Sequence, residues 1–173
     1  MRASAVFLCG VLAAGVMTSK VIAAPALENE SDVKAWAEIE VALPPYPKES
    51  DLLSFRVGAV RDIQFLIDPK SLSIGQDGVI RYALVIVSSS GARNVSFEGL
   101  RCETRERRNY AFGRGDGTWA KARSNQWQPI RGGSNNPHVE LHASYFCDVG
   151  TPLFTVDEIL RRMRELSKVQ YGK

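Results

Sequence analysis

The stretch VIRYALVIV, residues 79–87, constrains the fold more than any other part of this sequence. Its branched apolar side chains fall in both alternating phases, so a strand here is apolar on both of its faces. Such a strand belongs at the centre of a sheet that is covered on each side. Asp77-Gly78 comes directly before it and predicts a tight hairpin turn.

Further strand patterns flank this central one. RDIQFLID, residues 61–68, places alternate apolar residues on one face, and Asp68-Pro69 is expected to end that strand. ARNVSFEGLRC, residues 92–102, changes its apolar phase at Gly99, which predicts a β-bulge there. RERRNYAFG and TWAKAR predict two more strands.

The run GRGDG, residues 113–117, separates the last two predicted strands. A phosphate-binding loop would require a helix after the glycines, whereas a strand pattern follows them. We therefore predict a hairpin turn that exposes Arg114, Gly115 and Asp116. A role of this tripeptide in cell adhesion is a further hypothesis.

Helix signals are concentrated in the last quarter of the chain. Asn136 and Pro137 predict a capped helix that continues to Cys147. Thr155 and Glu158 have the spacing of a capping box, and a narrow apolar stripe at Ile159, Met163 and Leu166 follows them. Strands followed by helices predict an α+β fold. We expect an antiparallel sheet of about six strands, with the C-terminal helices packed on one face.

The N-terminus has the pattern of an export signal. Arg2 precedes a short apolar stretch, and Ala24-Pro25-Ala26 fits a signal-peptidase site, with an uncleaved anchor as the alternative interpretation. We predict three parts: a signal peptide at residues 1–26, an acidic, proline-containing arm at residues 27–51, and one domain at residues 52–173. We expect no transmembrane span after cleavage, and we expect Trp36 in the arm to dock on the domain.

Two cysteines remain after the predicted cleavage, Cys102 and Cys147. Exported proteins keep disulfides, so these two are expected to pair. Closing a loop of this length would stabilise the fold by about 4 kcal/mol in the chain-entropy model.

Charge is distributed unevenly along the chain, although the net charge is only +3. Residues 27–51 contain seven acidic and two basic side chains, whereas residues 101–131 contain eight basic and three acidic ones. This asymmetry predicts either contact between the two segments or a basic patch for a partner. Aromatic residues are interleaved with the basic ones, as in surfaces that bind polyanions. The candidate patch consists of Arg101, Arg105, Arg107, Arg108, Lys121 and Arg123.

Catalytic and metal-binding patterns are weak. His138 and His142 would share a helix face, but the acidic residue after His138 is misplaced for a metalloprotease, and no third ligand is near. The serines at 88–90 lie in a turn between strands and do not match a nucleophile elbow. We therefore predict no catalytic residues, no metal and no cofactor.

Several segments together resemble the cryptic neisserial protein family of exported bacterial proteins. They include LPPYPKESDLLSF, FLIDPKSLSIG, NVSFEGLRC, YAFG with the following DGTW, and YFC before the terminal helix. The resemblance covers nearly the whole chain after the predicted signal. It implies a protein of the Gram-negative envelope with an uncharacterised role, and it brings no catalytic residues with it. A looser, architectural likeness to surface adhesin E does not indicate a function.

The expected function is that of an exported, non-enzymatic binding or structural module, located in the periplasm or at the cell surface. Its partner would be an unknown protein or an anionic envelope polymer. One alternative is a polyanion- or nucleic-acid-binding protein that uses a basic sheet face. A second alternative is a hydrolase whose site is not recognisable from the sequence.

Overall fold

The structure is a computed structural model that describes residues 36–153 and 155–171. The predicted signal peptide and the first part of the predicted arm, residues 27–35, lie outside the described residues. The strands are β1 (Leu53–Phe55), β2 (Gln64–Ile74), β3 (Val79–Val87), β4 (Arg93–Arg101), β5 (Glu106–Gly113), β6 (Trp119–Lys121), β7 (Gln128–Pro129), β8 (Cys147–Asp148) and β9 (Thr151–Pro152). The helices are α1 (Pro137–Glu140), a π-helical segment (Leu141–Phe146) and α2 (Val156–Tyr171), and a 3₁₀ turn spans Glu49–Asp51.

The main sheet is an antiparallel meander in the order β1-β2-β3-β4-β5-β6, and β7 pairs with the outer part of β5. Strands β8 and β9 form a separate two-stranded ribbon. The helical segments follow the main sheet in the chain and pack on one of its faces. The predicted α+β class with an antiparallel sheet is confirmed.

Strand β3 lies inside the sheet, and its residues 79–85 are all buried. Side chains of one phase, such as Tyr82 and Leu84, enter the large core beneath the helices. Ala83, in the other phase, packs with Phe97 and Ala111 on the opposite face. Gly78 in the turn before β3 has a φ of 74°, which glycine adopts without strain. The predicted central strand and its hairpin are both present.

Strand β2 continues through Asp68-Pro69, so the prediction that the strand ends there is wrong. A wide bulge accommodates the proline, because residues 69–72 lie opposite the single residue Tyr82 of β3. Ser71 closes this bulge: its Oγ accepts a 2.7 Å hydrogen bond from the Ala83 amide and donates one of 2.8 Å to the Asp68 carbonyl. Proline is tolerated here because the bulge needs no ladder hydrogen bond from it.

The bulge predicted at Gly99 lies instead on the neighbouring strand. The register between β4 and β5 shifts after Phe97, which pairs with Ala111, while Glu98 pairs with Asn109. Tyr110 is therefore the extra residue, and its ring packs over Gly99. A Cβ at position 99 would lie 2.4 Å from the Tyr110 hydroxyl oxygen.

A disulfide joins the sheet to the helical layer. Cys102, directly after β4, is bonded to Cys147, with an S–S distance of 2.00 Å and a Cα–Cα distance of 5.7 Å. The Asn136 side chain caps α1 by accepting a hydrogen bond from the His138 amide. The predicted helix becomes π-helical at Leu141 and ends at Phe146, because Cys147 is extended.

Helix α2 begins at the predicted cap, where the Thr155 hydroxyl accepts a hydrogen bond from the Glu158 amide. Ile159 and Met163 of its apolar stripe are fully buried, whereas Leu166 is 41% exposed. The helix packs on β1 and β2, and together with the π-helical segment it covers the large core.

Replacing Gly99 by alanine should lower the free energy of unfolding by about 1–3 kcal/mol, because the new methyl group would push the Tyr110 ring out of place. Gly115→Ala is the matched control, since a Cβ there meets no atom within 4 Å. We expect less than about 0.5 kcal/mol for that variant. Urea unfolding of both proteins measures the difference, and equal stabilities would contradict this packing role of Gly99.

Candidate functional site

Residues 36–47, called the strap below, run across the face of the sheet that the helices leave open. The Trp36 indole donates a 2.8 Å hydrogen bond to the Asp77 carbonyl, and the Ile39 amide donates one of 3.1 Å to the Asp77 side chain. At the other end, the Trp119 indole donates to the Pro44 carbonyl at 2.8 Å. The strap, with its prolines, is thus an extended segment fixed at both ends, as expected for docking by Trp36.

Glu38 is the residue of the strap whose side chain accepts the most hydrogen bonds from this face. Its carboxylate accepts hydrogen bonds from Arg108, from the Tyr110 hydroxyl and, at 3.2 Å, from the Trp127 indole. Arg81 lies 3.5 Å from the same carboxylate. We call these four side chains, Arg81, Arg108, Tyr110 and Trp127, the Glu38 cradle. Only 13% of the Glu38 side chain is exposed.

Arg81 is anchored by a second carboxylate. Its guanidinium binds Asp77 in a bidentate manner, with N–O distances of 3.1 and 2.6 Å. Burial raises the pKa of Asp77, whereas the hydrogen bonds from Arg81 and from the Ile39 amide lower it. The hydrogen bonds have the larger combined effect, so the pKa of Asp77 lies below its ordinary value. Burial and the hydrogen bond to Glu38 both raise the pKa of Tyr110, which keeps its hydroxyl a donor.

Tryptophan rings border the cradle and contact the neighbouring arginines. The Arg101 guanidinium lies 3.8 Å from the centroid of a Trp36 ring, close enough for a cation–π contact. Trp36 meets Trp127 edge to face at 6.0 Å, and Arg108 lies 5.6 Å from Trp127. Arg101 also binds Glu106 at 3.2 Å. The arginines on this face therefore have acidic or aromatic partners from the chain itself.

The six residues of the candidate patch do not form one surface. Arg101 and Arg108 lie beneath or beside the strap, as described. Arg107 pairs in register with Leu100 and points to the helix side, where it binds Asn109 at 3.4 Å. Arg105 occupies the β4–β5 turn with a φ of 53°, and Lys121 and Arg123 are exposed near β6.

The predicted hairpin tip is present between β5 and β6. The Arg114 amide bonds the Thr118 carbonyl at 2.8 Å, and Asp116 accepts hydrogen bonds from both the amide and the hydroxyl of Thr118. Of the three glycines, only Gly117 has a positive φ, 80°. The tip exposes Arg114, Gly115 and Asp116, and their role in adhesion stays a prediction.

The helix side of the sheet contains a buried carboxylate that the sequence analysis did not single out. Glu98 accepts hydrogen bonds from Ser96 at 2.6 Å and from the Tyr82 hydroxyl at 3.1 Å, and the His138 Nε2 lies 2.7 Å away. His142 instead contacts the Cys102 carbonyl at 3.1 Å. The two histidines thus have different partners. Among the described residues, no three potential metal ligands lie together.

Glu98, His138 and Ser96 are residue types found in catalytic sites, but their arrangement here favours a structural role over a catalytic one. Ser96 donates to the carboxylate and not to the imidazole, so the hydroxyl lacks the histidine contact of a Ser-His nucleophile pair. Burial raises the pKa of Glu98, but the charge and hydrogen bond of His138 and the hydrogen bond of Ser96 lower it overall. Burial and the Glu98 charge raise the pKa of Tyr82 well above its ordinary value.

Two signals in the sequence could have identified these buried charges. Arg81 and Glu98 each interrupt an apolar strand pattern, and a charge at a buried strand position requires a partner of opposite charge or several hydrogen bonds. The identity of the partners, Asp77, Glu38 and His138, depends on the tertiary arrangement.

Comparison with known proteins places the chain in a family. Residues 31–164 match the model of the CNP1-like family, which covers the strap, the whole sheet and most of α2. The chain belongs to this family. The resemblance identified from the sequence motifs is thereby confirmed.

Cryptic neisserial protein 1 of Neisseria gonorrhoeae (strain ATCC 700825 / FA 1090) is a similar curated protein. It is 26% identical over 157 residues, which cover 79% of this chain and 75% of the relative. A comparison with solved structures finds no significant match. The looser likeness to surface adhesin E stays a prediction.

The lowered pKa of Glu98 predicts a loss of stability in acid. Its contribution is complete above the unfolded-state pKa, about 4.3 for a glutamate, and is lost as the pH falls through the lower folded-state value. Glu98→Gln should be about 1.5–3 kcal/mol less stable than the natural protein at pH 7, and this gap should narrow towards pH 2.

Urea unfolding between pH 2 and pH 7 measures this gap. Glu103→Gln serves as the control, because Glu103 is an exposed acid in the β4–β5 turn. A gap for Glu98→Gln that stays constant with pH would show that the Glu98–His138 contact does not stabilise the ionised carboxylate.

Proposed function

We propose that this protein is an exported, non-enzymatic component of the Gram-negative cell envelope, and that it binds a partner protein in the periplasm or at the cell surface. The observation that carries the proposal is the disulfide between Cys102 and Cys147. Disulfides form and persist in oxidising compartments and are rare in the cytosol. The N-terminal signal pattern and the relationship to the cryptic neisserial proteins support the same assignment.

A binding role is favoured over catalysis by the way the polar groups are used. Glu98, His138, Asp77 and Arg81 are engaged with one another or with backbone groups inside the fold. His138 and Glu98 do not line the groove at residues 54–65 or the groove along the strap. Polar groups that are engaged with one another inside the fold contribute to packing and specificity.

The alternative of a polyanion site on one basic sheet face lacks this support. Such a site requires several cations on one exposed surface, so that phosphates or other anions can be neutralised together. Here Arg107 lies on the helix side, and Arg101 and Arg108 are bound to Glu106 and Glu38.

In the described part of the chain, no helix is long and apolar enough to cross a membrane.

Export can be tested by cell fractionation and protease shaving of intact cells that produce the tagged protein. We expect a shortened chain, cleaved near Ala26, in the periplasm or at the surface, with its two remaining cysteines oxidised on a non-reducing gel. A Cys102→Ala, Cys147→Ala double variant is the control for the mobility of the reduced chain. Full-length, reduced protein found only in the cytoplasm would contradict the proposal.

Partner binding can be tested separately by crosslinking in intact cells. A photo-crosslinking residue in place of exposed Ile39, on the strap, should yield a specific adduct with a second protein, whereas one in place of exposed Lys168, on α2, serves as the comparison. Adducts that are identical for both positions would indicate non-specific proximity and would argue against a strap-side interface.

A further inference from the structure

The Glu38 cradle is a carboxylate-binding site whose present occupant comes from the same chain. Its side chains come from β3, β5 and the loop before β7. The acceptor comes from the strap, which precedes β1. A guanidinium, a phenol and an indole directed at one carboxylate is an arrangement suited to recognising an acidic side chain.

The strap is attached mainly by its side chains. In the described residues, no backbone-to-backbone hydrogen bond joins residues 36–47 to the sheet. Its acidic residue Glu38 points inward, while Trp36, Ile39 and Leu43 are 41%, 46% and 37% exposed. Because these three apolar side chains face water, Glu38 and the two indole hydrogen bonds contribute much of the free energy that holds the strap, beside the apolar contacts of Val41 with the cluster around Phe97 and of Tyr46 with Trp119. Such a segment can leave while the core beneath the helices stays intact.

Glu38 does not use all the donors of the cradle. The Nε atoms of Arg81 and Arg108 are buried and have no hydrogen-bond acceptor within the described part of the chain. Only 5% of the Arg81 side chain is exposed, so its unused N–H group carries a desolvation cost. A ligand with more carboxylate oxygens than Glu38 supplies offers acceptors for such N–H groups.

The cradle is also accessible from outside. A shallow groove of about 430 Å³ runs along the strap and is bordered by Glu38, Glu40, Val41, Arg108 and Tyr110. An incoming carboxylate can therefore approach Arg108 before the strap has left. This access allows one acidic segment to replace another stepwise.

We propose that the Glu38 cradle binds an extended acidic segment of a partner protein, one that presents two neighbouring carboxylates, and that the strap is a built-in occupant which this segment replaces. The inference rests on the proposed binding function. It adds the location of the site and the chemistry of the ligand.

A second copy of this chain is a poorer candidate for the occupant. Exchange of straps between two copies would replace each Glu38 contact by an identical one, and the association would also cost translational and rotational entropy. A tethered strap competes at an effective concentration in the millimolar range. Only a segment that also binds the unused N–H groups gains enough to displace it.

Fluorescence polarisation with three labelled 12-residue peptides tests the proposal on the full mature chain. The first peptide has the strap sequence, WAEIEVALPPYP, the second has Gln in place of Glu38, and the third has Glu in place of Ile39. Glu38→Ala removes the built-in carboxylate. Trp36→Ala is a second way to loosen the strap, and it changes only a half-exposed side chain, so the cradle residues remain.

The strap peptide should bind Glu38→Ala and Trp36→Ala at least about tenfold more tightly than it binds the natural protein, and the Gln peptide should bind none of the three. The peptide with Glu in place of Ile39 has three consecutive acids, at positions 38–40, and should bind tightest and also bind the natural protein. Glu165→Ala is the matched control, since Glu165 is an exposed acid of α2 on the helix side of the sheet, and it should behave like the natural protein.

Equal binding of the Glu and Gln peptides to a folded Trp36→Ala protein, or no binding of any peptide, would overturn the proposal. Light scattering tests whether the occupant of the cradle comes from a second copy of this chain. A natural protein that is dimeric and becomes monomeric in Glu38→Ala would contradict the proposal that the ligand is a segment of a different protein. Localisation and crosslinking in cells are independent of peptide binding. An exported protein that crosslinks to a partner but ignores these peptides would refute the cradle proposal alone.

Discussion

A guanidinium buried within the central strand governs the organisation of the strap side of this protein. Arg81 lies in β3 with only 5% of its side chain exposed, and a buried charge is tolerated only with close partners. Asp77, in the hairpin turn before β3, provides a bidentate partner, and Glu38 of the strap approaches from the other side. The turn and the strap are therefore coupled to the same strand. The charge of Glu38 is in turn shared with Arg108 of β5, so that one carboxylate connects the strap to two strands of the sheet.

The helix side is stabilised differently. There the large core provides most of the burial, and the Cys102–Cys147 disulfide joins the end of β4 to the end of the π-helical segment. Glu98 and His138 form a second contact between an acidic and a basic side chain, here between the sheet and α1. The sheet thus has an apolar core with a buried carboxylate–imidazole contact on its helix side, and a mostly polar, aromatic layer beneath the strap. This difference explains why the strap side is the better candidate for exchange with a ligand.

Local patterns in the sequence were sufficient for most of the architecture. The apolar stretch at residues 79–87, the Asp77-Gly78 and GRGDG turns, and the caps at Asn136 and Thr155 depend on nearest neighbours along the chain, and each was predicted in place. Features that depend on contacts between residues distant in sequence were not predicted correctly. The continuation of β2 through Pro69 requires the Ser71 bulge against β3, and the bulge assigned to Gly99 belongs to Tyr110. The candidate patch was separated because strand register sends Arg107 and Arg108 to opposite faces.

The central claim is that Glu38 and Arg108 are energetically coupled, and a double-mutant cycle measures this directly. The cycle compares the urea unfolding free energies of the natural protein, Glu38→Ala, Arg108→Ala and the double variant at pH 7. The account predicts a coupling free energy of about 1.5 kcal/mol or more. Glu38→Ala leaves the Arg108 guanidinium without its carboxylate, and Arg108→Ala leaves Glu38 with only the more distant Arg81 guanidinium, whereas the double replacement removes both charges. Additive effects, within about 0.5 kcal/mol, would contradict the account, since the strap would then be held by contacts other than its carboxylate.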